Sequence, residues 1–518
     1  MNWIDKTINY ISPTWGLKRI RDRSIVHTIV NSGYSQSGAS KRKNSLRGWT
    51  ASSKSPTEDI NDNLHTLRQR SRSLYMGGGL GTAAIKVMRS NIVGSGLKLK
   101  PNIDYESLGL TRDEGRKWCK EVEREFSVWA TSKDCDYLGL NNFYELQSMA
   151  LLGVLLNGDA IALVNYSDIT SDYDLKLHLV ESDRLSNPDG SLSVSLTKEG
   201  NKIISGIEVN NRGKPIAYWI SNNHPQVGFN YNNPLKWERI KAINDYTGFP
   251  NVLFSFNAER AGQYRGVPFL SPIIELIKSM ERYTEAEVTA AIINSFYSVF
   301  IENVGDPTTM PFQRSILDED SVLTAEERAE NYELGAGTIN VLGSGEKVVF
   351  SDPKRPTSSF ESFSNQITKL IGSTLEIPYE VLVKSFNSSY SASRAALLEA
   401  WRLFRLKREW FINDFCQPVY EMWLFEAISK GKIKAKGYFE SKSKMKLWSS
   451  ATWIGTAQGQ IDPVKEVQAA KLRIDNGFST REKEAQELTG MDFESNLRVL
   501  ERENQGLYTV NKIREGIY

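Results

Sequence analysis

The sequence predicts an α+β fold, because helical and strand patterns occupy different parts of one long chain. Apolar residues recur at helical spacing before residue 158 and again after residue 271. Between these two parts, short strand patterns alternate with turn residues. The chain has 518 residues, which is enough for about three domains or one large composite body.

Composition describes a globular protein without a membrane segment or a disulfide framework. Hydrophobic residues make up 40% of the chain, but no apolar run approaches the roughly 18 residues that a membrane helix needs. The N-terminus lacks the basic-then-apolar layout of a signal peptide. The three cysteines, Cys119, Cys135 and Cys416, are an odd number at scattered positions, which favours a reducing cytoplasm.

The charge of the chain is unevenly distributed. Residues 1–100 hold 17 Lys and Arg against 5 Asp and Glu, a net charge of +12 in a chain whose total is +2. Such basic clusters attract phosphates, and salt weakens that attraction. The alternative is a solvated tail, which the Ser, Gly and Lys content of residues 33–56 favours. We expect residues 1–56 to form a flexible basic arm, with order beginning near Thr57.

Helices are predicted on both sides of a short strand near residue 97. One helix covers 55–75, with acidic residues early and arginines late, and another follows the glycines at 77–79 and ends through Gly94 and Gly96. A third spans 142–157 and stops at Gly158. The helix at 111–131 has apolar residues at spacings of four, four and three: Trp118, Val122, Phe126 and Trp129.

Strand patterns follow residue 158. Four segments alternate between strand and turn character: 159–166, 175–185, 202–210 and 215–222. Turn residues at 187–190 and 211–213 separate them. This part is therefore predicted to be the strand-rich section of the α+β fold.

Two long helices that flank an insert are predicted next. Ser271 as N-cap and Pro272 at the first helical position start a helix that runs to about Phe300. An insert occupies 301–356, and a second helix at about 359–375 brings the chain back. The first helix carries an apolar stripe: Ile273, Ile277, Met280, Thr284, Val288 and Ala291. Two helices in this arrangement can project the insert away from the main body.

A polar loop at 383–391 leads into a very long helix. This helix is predicted from Ser391 to about Ser429, with Ser391 or Ser393 as its cap. Pro418 removes one backbone hydrogen bond, so a kink or break is expected there. The apolar stripe consists of Leu397, Trp401, Phe404, Phe411 and Phe415.

The remaining chain contains several helix start and stop signals. Asp462 and Pro463 begin a helix that Gly477 ends. Ser479 and Glu482 match a capping box. The two further expected boundaries are the end of that helix at Gly490 and a cap at Asp492.

The sequence predicts no catalytic residues, no cofactor and no metal. The four histidines, at 27, 65, 178 and 224, lie far apart and have no cysteine nearby, whereas a zinc site needs three or four converging ligands. Phosphate-binding-loop and nucleophile-elbow motifs are absent, and the glycines at 77–81 miss the dinucleotide pattern because residue 82 is Thr. Asp318, Glu319 and Asp320 are compatible with nuclease metal ligands, but adjacent acids more often form a solvated turn or a helix cap.

Five segments have no simple compositional explanation: NIVGSGL (91–97), LVESDRLSNPDG (179–190), GQYRGVPFLSPII (262–274), YEVLVKSFNSSYSASRAALLEAW (379–401) and TWIGTAQGQIDPVKEVQAA (452–470). In this order along the chain they resemble the portal proteins of tailed bacteriophages, in particular the lambda type. The similarity extends from about Asn63 to Phe493. The resemblance implies one subunit of a ring, usually of twelve copies, whose channel carries DNA into and out of the capsid.

The resemblance also implies a portal-type division of the chain. A wing would cover 57–268 and a helical crown 457–518. The parts between them would be a first stem helix (269–300), a clip (301–356), a second stem helix (357–382), a tunnel loop (383–393) and a long kinked helix that returns to the wing (394–456).

The site predictions lie on the tunnel loop and the clip. A DNA-facing ring needs short polar donors and a cation that contact phosphates without reading bases. The tunnel loop offers this chemistry at Lys384, Ser385, Asn387, Ser388, Ser389 and Tyr390. The resemblance places motor docking on the clip, whose acidic residues are Asp318, Glu319 and Asp320.

The resemblance implies a set of partners and a location. The partners are double-stranded DNA bound without sequence preference, the terminase large subunit, a head-completion or tail connector protein, and the capsid and scaffold proteins, with no membrane. The location is the capsid vertex of the virion, after assembly in the host cytoplasm. The alternative is a nucleic-acid enzyme or packaging-motor component. The basic arm and the acidic triplet favour this alternative, and the missing phosphate-loop and metal motifs disfavour it.

Overall fold

The computed structural model describes residues 3–30, 44–46, 48–166, 172–191, 194–225, 234–295, 299–303, 346–350, 360–386, 389–459 and 462–514. The chain divides into two compact units, residues 1–55 and 56–518. The first unit contains helices α1 (Trp3–Ile11) and α2 (Pro13–Val30).

Two helices, Trp3–Ile11 and Pro13–Val30, lie within the residues expected to form a flexible arm, and the sequence analysis did not predict them. Isoleucines at 4, 8 and 11 recur at helical spacing in α1, and Pro13 occupies the first position of α2, where its fixed φ suits a helix start. The net charge and the Ser-rich segment concealed this local pattern. The second unit begins with a helix at Pro56, one residue before the expected start of order.

The predicted helices before the strands are confirmed. They are α3 (Pro56–Met76), α4 (Gly79–Ile92), α5 (Arg112–Thr131) and α6 (Phe143–Asn157). Capping boxes at Thr111 with Glu114 and at Asn142 with Glu145 start α5 and α6, since each side chain bonds the other residue's backbone N–H. Gly158 ends α6 in the left-handed conformation, with a φ of 90°.

The strand-rich section forms two antiparallel sheets. Strand β1 (Lys98–Pro101) precedes them, and their strands are β2 (Asp159–Tyr166), β3 (Leu175–Val180), β4 (Val194–Leu196), β5 (Lys202–Ile204), β6 (Ile207–Val209), β7 (Pro215–Ser221), β8 (Trp237–Lys241) and β9 (Val252–Phe256). The orders are β3-β2-β9 and β4-β5-β6-β7-β8. Side chains of both sheets share one apolar cluster, which includes Ile161, Ile207, Tyr218 and Val252.

The helix before the insert is shorter than predicted, because it ends at Ser295 and Val299–Asn303 form a strand, whereas the prediction was a helix to about Phe300. A 3₁₀ turn at 271–273 leads into α7 (Ile274–Ser295), and β10 (Val299–Asn303) pairs antiparallel with β11 (Glu346–Phe350) before α8 (Phe360–Thr374). The prediction that Ser271 is the N-cap is wrong. This serine lies inside the 3₁₀ turn, and its hydroxyl has no hydrogen-bond partner among the described residues. Tyr283 of α7 contacts the ring of Phe360 at a tilt and that of Phe363 edge to face, so α7 and α8 pack side by side.

The C-terminal third consists almost entirely of helices. In order these elements are α9 (Tyr379–Val383), α10 (Tyr390–Phe411), α11 (Gln417–Ser429), α12 (Lys442–Trp448), β12 (Ala451–Ile454), α13 (Pro463–Asp475), α14 (Arg481–Thr489) and α15 (Phe493–Arg514). Strand β12 pairs with β1. The ring of Phe126 on α5 meets Tyr420, Trp423 and Trp453 edge to face. The core therefore joins this third to the earlier helices.

The expected irregularity at Pro418 is confirmed. One π-helical turn, Ile412–Cys416, separates α10 from α11. Pro418 has no N–H for the carbonyl oxygen of Asp414, and the Ser255 hydroxyl of β9 donates to that oxygen at 3.5 Å. The long helix therefore changes its hydrogen-bond pattern where it crosses the sheet.

Asp414 lies in this π-helical turn, and burial raises its pKa to about 6. Between about pH 4 and 6 the folded state binds a proton that the unfolded chain has released, so the free energy of unfolding falls as pH rises through this window. We expect Asp414→Asn to raise the melting temperature at pH 7 and to leave it unchanged at pH 3.5, measured by calorimetry at both pH values. An equal change of the melting temperature at both pH values would contradict the raised pKa of Asp414 as its cause.

The predicted boundaries of the last helices are mostly confirmed. Asp462 caps α13, Gly490 ends α14, and Asp492 accepts the Ser495 backbone N–H at the start of α15. The predicted capping box of Ser479 is wrong, because Thr480 accepts the Lys483 N–H instead. Thr480 has the extended backbone that a cap requires, and it lies directly before the first helical residue.

Candidate functional site

The loop between α9 and α10 spans 384–389, and an uncommon backbone conformation fixes its start. Lys384 has a φ of 56°, a left-handed value that few residues other than glycine adopt. The N–H groups of Lys384 and Ser385 both donate to the Glu380 carbonyl oxygen, which closes the end of α9. The buried side chains of Val381 and Leu382 hold α9 in the core.

The structure places four of the six predicted loop residues. Lys384 is exposed, Ser385 is half-buried, and Tyr390 is 40% exposed at the first position of α10. Asn387 and Ser388 lie outside the described residues. Phe386 is an exposed apolar side chain on the loop that the sequence analysis did not select, because a search for polar phosphate contacts passes over it.

The cap of the long helix is Ser389, and the prediction of Ser391 or Ser393 is wrong. The Ser389 hydroxyl accepts the Ala392 backbone N–H at 3.4 Å, whereas Ser391 and Ser393 lie within the first turns of α10. The extended backbone of Ser389 lets its side chain reach back to this N–H. The predicted tunnel loop, 383–393, therefore includes the first residues of α10, which begins at Tyr390.

We expect Ser389→Ala to lower the free energy of unfolding by about 0.5–1 kcal/mol, because the N–H of Ala392 loses its acceptor. Ser391→Ala is the matched control and should change stability by less than about 0.5 kcal/mol. Urea denaturation of both variants measures the difference. A larger loss in Ser391→Ala than in Ser389→Ala would contradict the assignment.

The predicted clip acids, Asp318, Glu319 and Asp320, lie outside the described residues. The pair of β10 and β11 brings the two ends of the insert together, with Val299 opposite Phe350 and Asn303 opposite Glu346.

A buried ion cluster that the sequence analysis missed lies where the strand-rich section meets α3. Arg68 and Arg265 both donate to the Asp159 carboxylate, at 2.9 and 2.7 Å, and all three side chains are at least 95% buried. Burial opposes the charge of Asp159, but the two guanidinium groups, Arg265 first, hold its pKa below the usual value. Arg265 also donates to the carbonyl oxygens of Ser182, Leu185 and Ser205.

This cluster fixes the base of α7. Gly266 follows Arg265 and lies against Gly158, so closely that a Cβ atom at Gly266 would come within 1.8 Å of the Gly158 carbonyl oxygen. The Phe269 N–H then donates to the Leu155 carbonyl oxygen at 2.9 Å. These contacts give the segment GQYRGVPFLSPII a structural explanation, because it anchors the first of the two helices that flank the insert.

Arg408 forms a second long-range anchor, at the other end of α10. Its guanidinium donates to the carbonyl oxygens of Asn91 and Ile92 at 2.6 and 2.8 Å, which satisfies the end of α4. Burial, together with the nearby charge of Arg405, lowers the pKa of Arg408 to about 10. The exposed loop thus lies between two firmly held elements, α9 and the far end of α10.

Within the part of the chain that the structure describes, no group of His, Cys, Asp and Glu side chains has an arrangement that could hold a metal ion. None of the described helices is long and apolar enough to cross a membrane.

Comparison with known proteins identifies the family of this chain. Residues 42–408, well over half of the chain, match the family model described as phage portal protein, lambda family. The chain belongs to the lambda family of phage portal proteins. The predicted resemblance is thereby confirmed, and the protein is a portal protein of a tailed phage, a head-to-tail connector.

Two individual portal proteins agree with the family. The portal protein is 24% identical to portal protein B of Escherichia phage lambda over 458 residues, which cover 85% of this chain and 83% of that protein. It is also 24% identical to the portal protein of Escherichia phage N15, over 85% of this chain and 84% of the relative. A chain from the neck of a native gene transfer agent particle is 13% identical, with a TM-score of 0.45, and covers 82% of this chain and 92% of its own length.

Proposed function

We propose that copies of this chain close into a ring, of twelve subunits by resemblance, and that DNA passes through its channel during packaging and ejection. The observation that carries this proposal is the exposed apolar surface of the paired helices. The side chain of Ile277 on α7 is buried, as is that of Ile273 in the preceding 3₁₀ turn, but Val288 and Ile292 of α7 are each 53% exposed. Phe363 and Leu370 of α8 are similarly exposed. A neighbouring copy in a ring would cover these side chains, which one subunit leaves in water.

The ring assigns a role to each part of the chain. Residues 57–268 form the wing, and the stem helices lie within 269–300 and 357–382. Residues 301–356 form the clip, 383–393 the tunnel loop, 394–456 the long kinked helix with its return to the wing, and 457–518 the crown. Lys384, Ser385, Asn387, Ser388, Ser389 and Tyr390 face the DNA. The ring is a passive conduit without catalytic activity, at the capsid vertex after assembly in the host cytoplasm.

The mass of the purified protein in its native state tests this proposal. At moderate salt, native mass spectrometry should find a closed oligomer whose mass is a fixed multiple of the 58.5 kDa chain. A monomer at every protein concentration, with scaffold protein added or absent, would overturn the proposal.

The clip is proposed to dock the terminase large subunit first and a head-completion or tail connector protein later. Supporting this role, β10 pairs with β11, which brings the two ends of the insert together between the paired helices α7 and α8 in the chain. A triple variant in which lysine replaces each of Asp318, Glu319 and Asp320 should bind terminase about tenfold more weakly, because the association rate falls. Surface plasmon resonance on assembled rings measures this change, with the exposed Glu501→Lys as control. Unchanged terminase affinity in the triple variant would contradict the placement.

A further inference from the structure

The first turn of α13 contacts the first turn of α10, directly beside the loop at 384–389. The Lys465 ammonium lies 5.2 Å from the centroid of the Tyr390 ring, a distance suited to cation–π attraction. One helical turn further along α10, the Arg394 guanidinium forms an ion pair with Glu466. The Glu466 side chain is only 9% exposed and that of Arg394 is 34% exposed, so the carboxylate of this pair is shielded from most of the solvent.

Charges, rather than apolar packing, attach the last three helices to the rest of the unit. Among residues 462–508, whose side-chain burial the structure describes, Ala470 is the one buried apolar residue. Ion pairs connect α14 and α15 to earlier elements: Arg405 with Glu487, Lys100 with Asp492 and Lys120 with Glu494. The position of α13 beside the loop therefore depends on the Lys465 and Glu466 contacts much more than on a shared core.

The two ends of the loop are held in different ways. On the α9 side, buried Val381 and Leu382 fix the chain through the hydrophobic core. On the α10 side, the loop continues into the first turn of a helix, whose leading N–H groups lack intrahelical partners and which frays readily. Side-chain contacts from another element can hold such a turn, and Tyr390 and Arg394 receive them from α13.

We propose that Lys465 and Glu466 are positioning residues for the tunnel loop, and that the crown thereby sets the conformation of the loop in the channel. The contacts with Tyr390 and Arg394 keep the first turn of α10 wound, which fixes where Lys384 and its neighbours lie. Loss of the Glu466 pair frees this turn and lets the loop move. The DNA-facing role of the loop rests on the proposed function, whereas the positioning itself rests on the contacts alone.

Hydrogen exchange of the assembled protein, followed by mass spectrometry, tests the positioning. Glu466→Gln should speed backbone exchange in 384–394 about tenfold, the size expected for a lost charge-assisted hydrogen bond. Arg402→Gln is the matched control, because its 80% exposed side chain pairs only with Glu399 of its own helix among the described residues, and exchange in 384–394 should not change. Reversing the pair, with Arg394→Glu and Glu466→Arg together, should restore slow exchange.

Unchanged exchange of 384–394 in Glu466→Gln would overturn the proposal. An increase of equal size in the core helix 417–429 would also overturn it, because the effect would then be general destabilisation. A DNA-retention assay on the same variant tests the DNA-facing role of the loop separately from its positioning by α13. Faster exchange with normal DNA retention would support the positioning and reject the DNA-facing role of the loop.

Discussion

Replacement of Arg265 by methionine is expected to lower the free energy of unfolding by about 3–5 kcal/mol, the range for breaking a buried ion pair by removing one partner. Methionine occupies a similar volume but offers no N–H group. Asp159 then keeps only Arg68 as a charged partner. The carbonyl oxygens of Leu185 and Ser205 lose their Arg265 donor in a largely buried site, and the oxygen of Ser182 keeps a 3.5 Å hydrogen bond from Arg68.

The matched control is Arg124→Met, on a side chain that is 74% exposed and should change stability by less than about 0.5 kcal/mol. Urea denaturation of both variants gives the comparison. The double variant Asp159→Asn with Arg265→Met should lose less than the sum of the two single variants, because they share one network. A loss below about 1 kcal/mol in Arg265→Met would show that the cluster contributes little to stability.

Charge reversal at Lys384 is expected to impair DNA packaging or retention more than ring assembly. In a ring, one lysine per chain becomes a belt of positive charge around the channel, which contacts phosphates without sequence preference. Lys384→Glu turns this belt negative and repels DNA. Lys384→Asn removes the charge while tolerating the left-handed backbone of this position, so it separates charge from loop shape.

DNA packaged and retained per particle, with ring formation followed in parallel, measures both variants. We expect Lys384→Glu to be more severe than Lys384→Asn, with both variants forming rings. Lys442→Glu is the control, since this exposed lysine lies at the start of α12, away from the loop in sequence. Normal DNA packaging and retention in Lys384→Glu would contradict the hypothesis that Lys384 contacts DNA phosphates in the channel.

Helices and strands followed from local patterns because their determinants lie close together in the sequence. The spacing of Trp118, Val122, Phe126 and Trp129 predicted α5, and all four side chains are buried. Cap residues were harder to predict, as at Ser389, because a neighbouring serine has equal chemistry. The residue whose backbone is extended becomes the cap, and tertiary packing decides which one that is.

The ion cluster of Arg68, Asp159 and Arg265 could not be predicted from spacing. Asp159 lies 91 residues after Arg68 and 106 before Arg265, and each residue alone has the chemistry of a surface charge. The sequence contained one signal, the segment around Arg265 that resembles the portal family, but it did not reveal which residues would meet. The DNA-facing assignment of the loop likewise came from the resemblance, since the residues alone also fit a helix cap.

Electron microscopy of the assembled protein with DNA in its channel most directly tests the claim that the chain forms a ring through which DNA passes. The account predicts closed rings in which residues 384–390 line the narrowest part of the channel and Lys384 approaches the DNA backbone. Rings that carry this loop on their outer rim, or particles without a central channel, would contradict it.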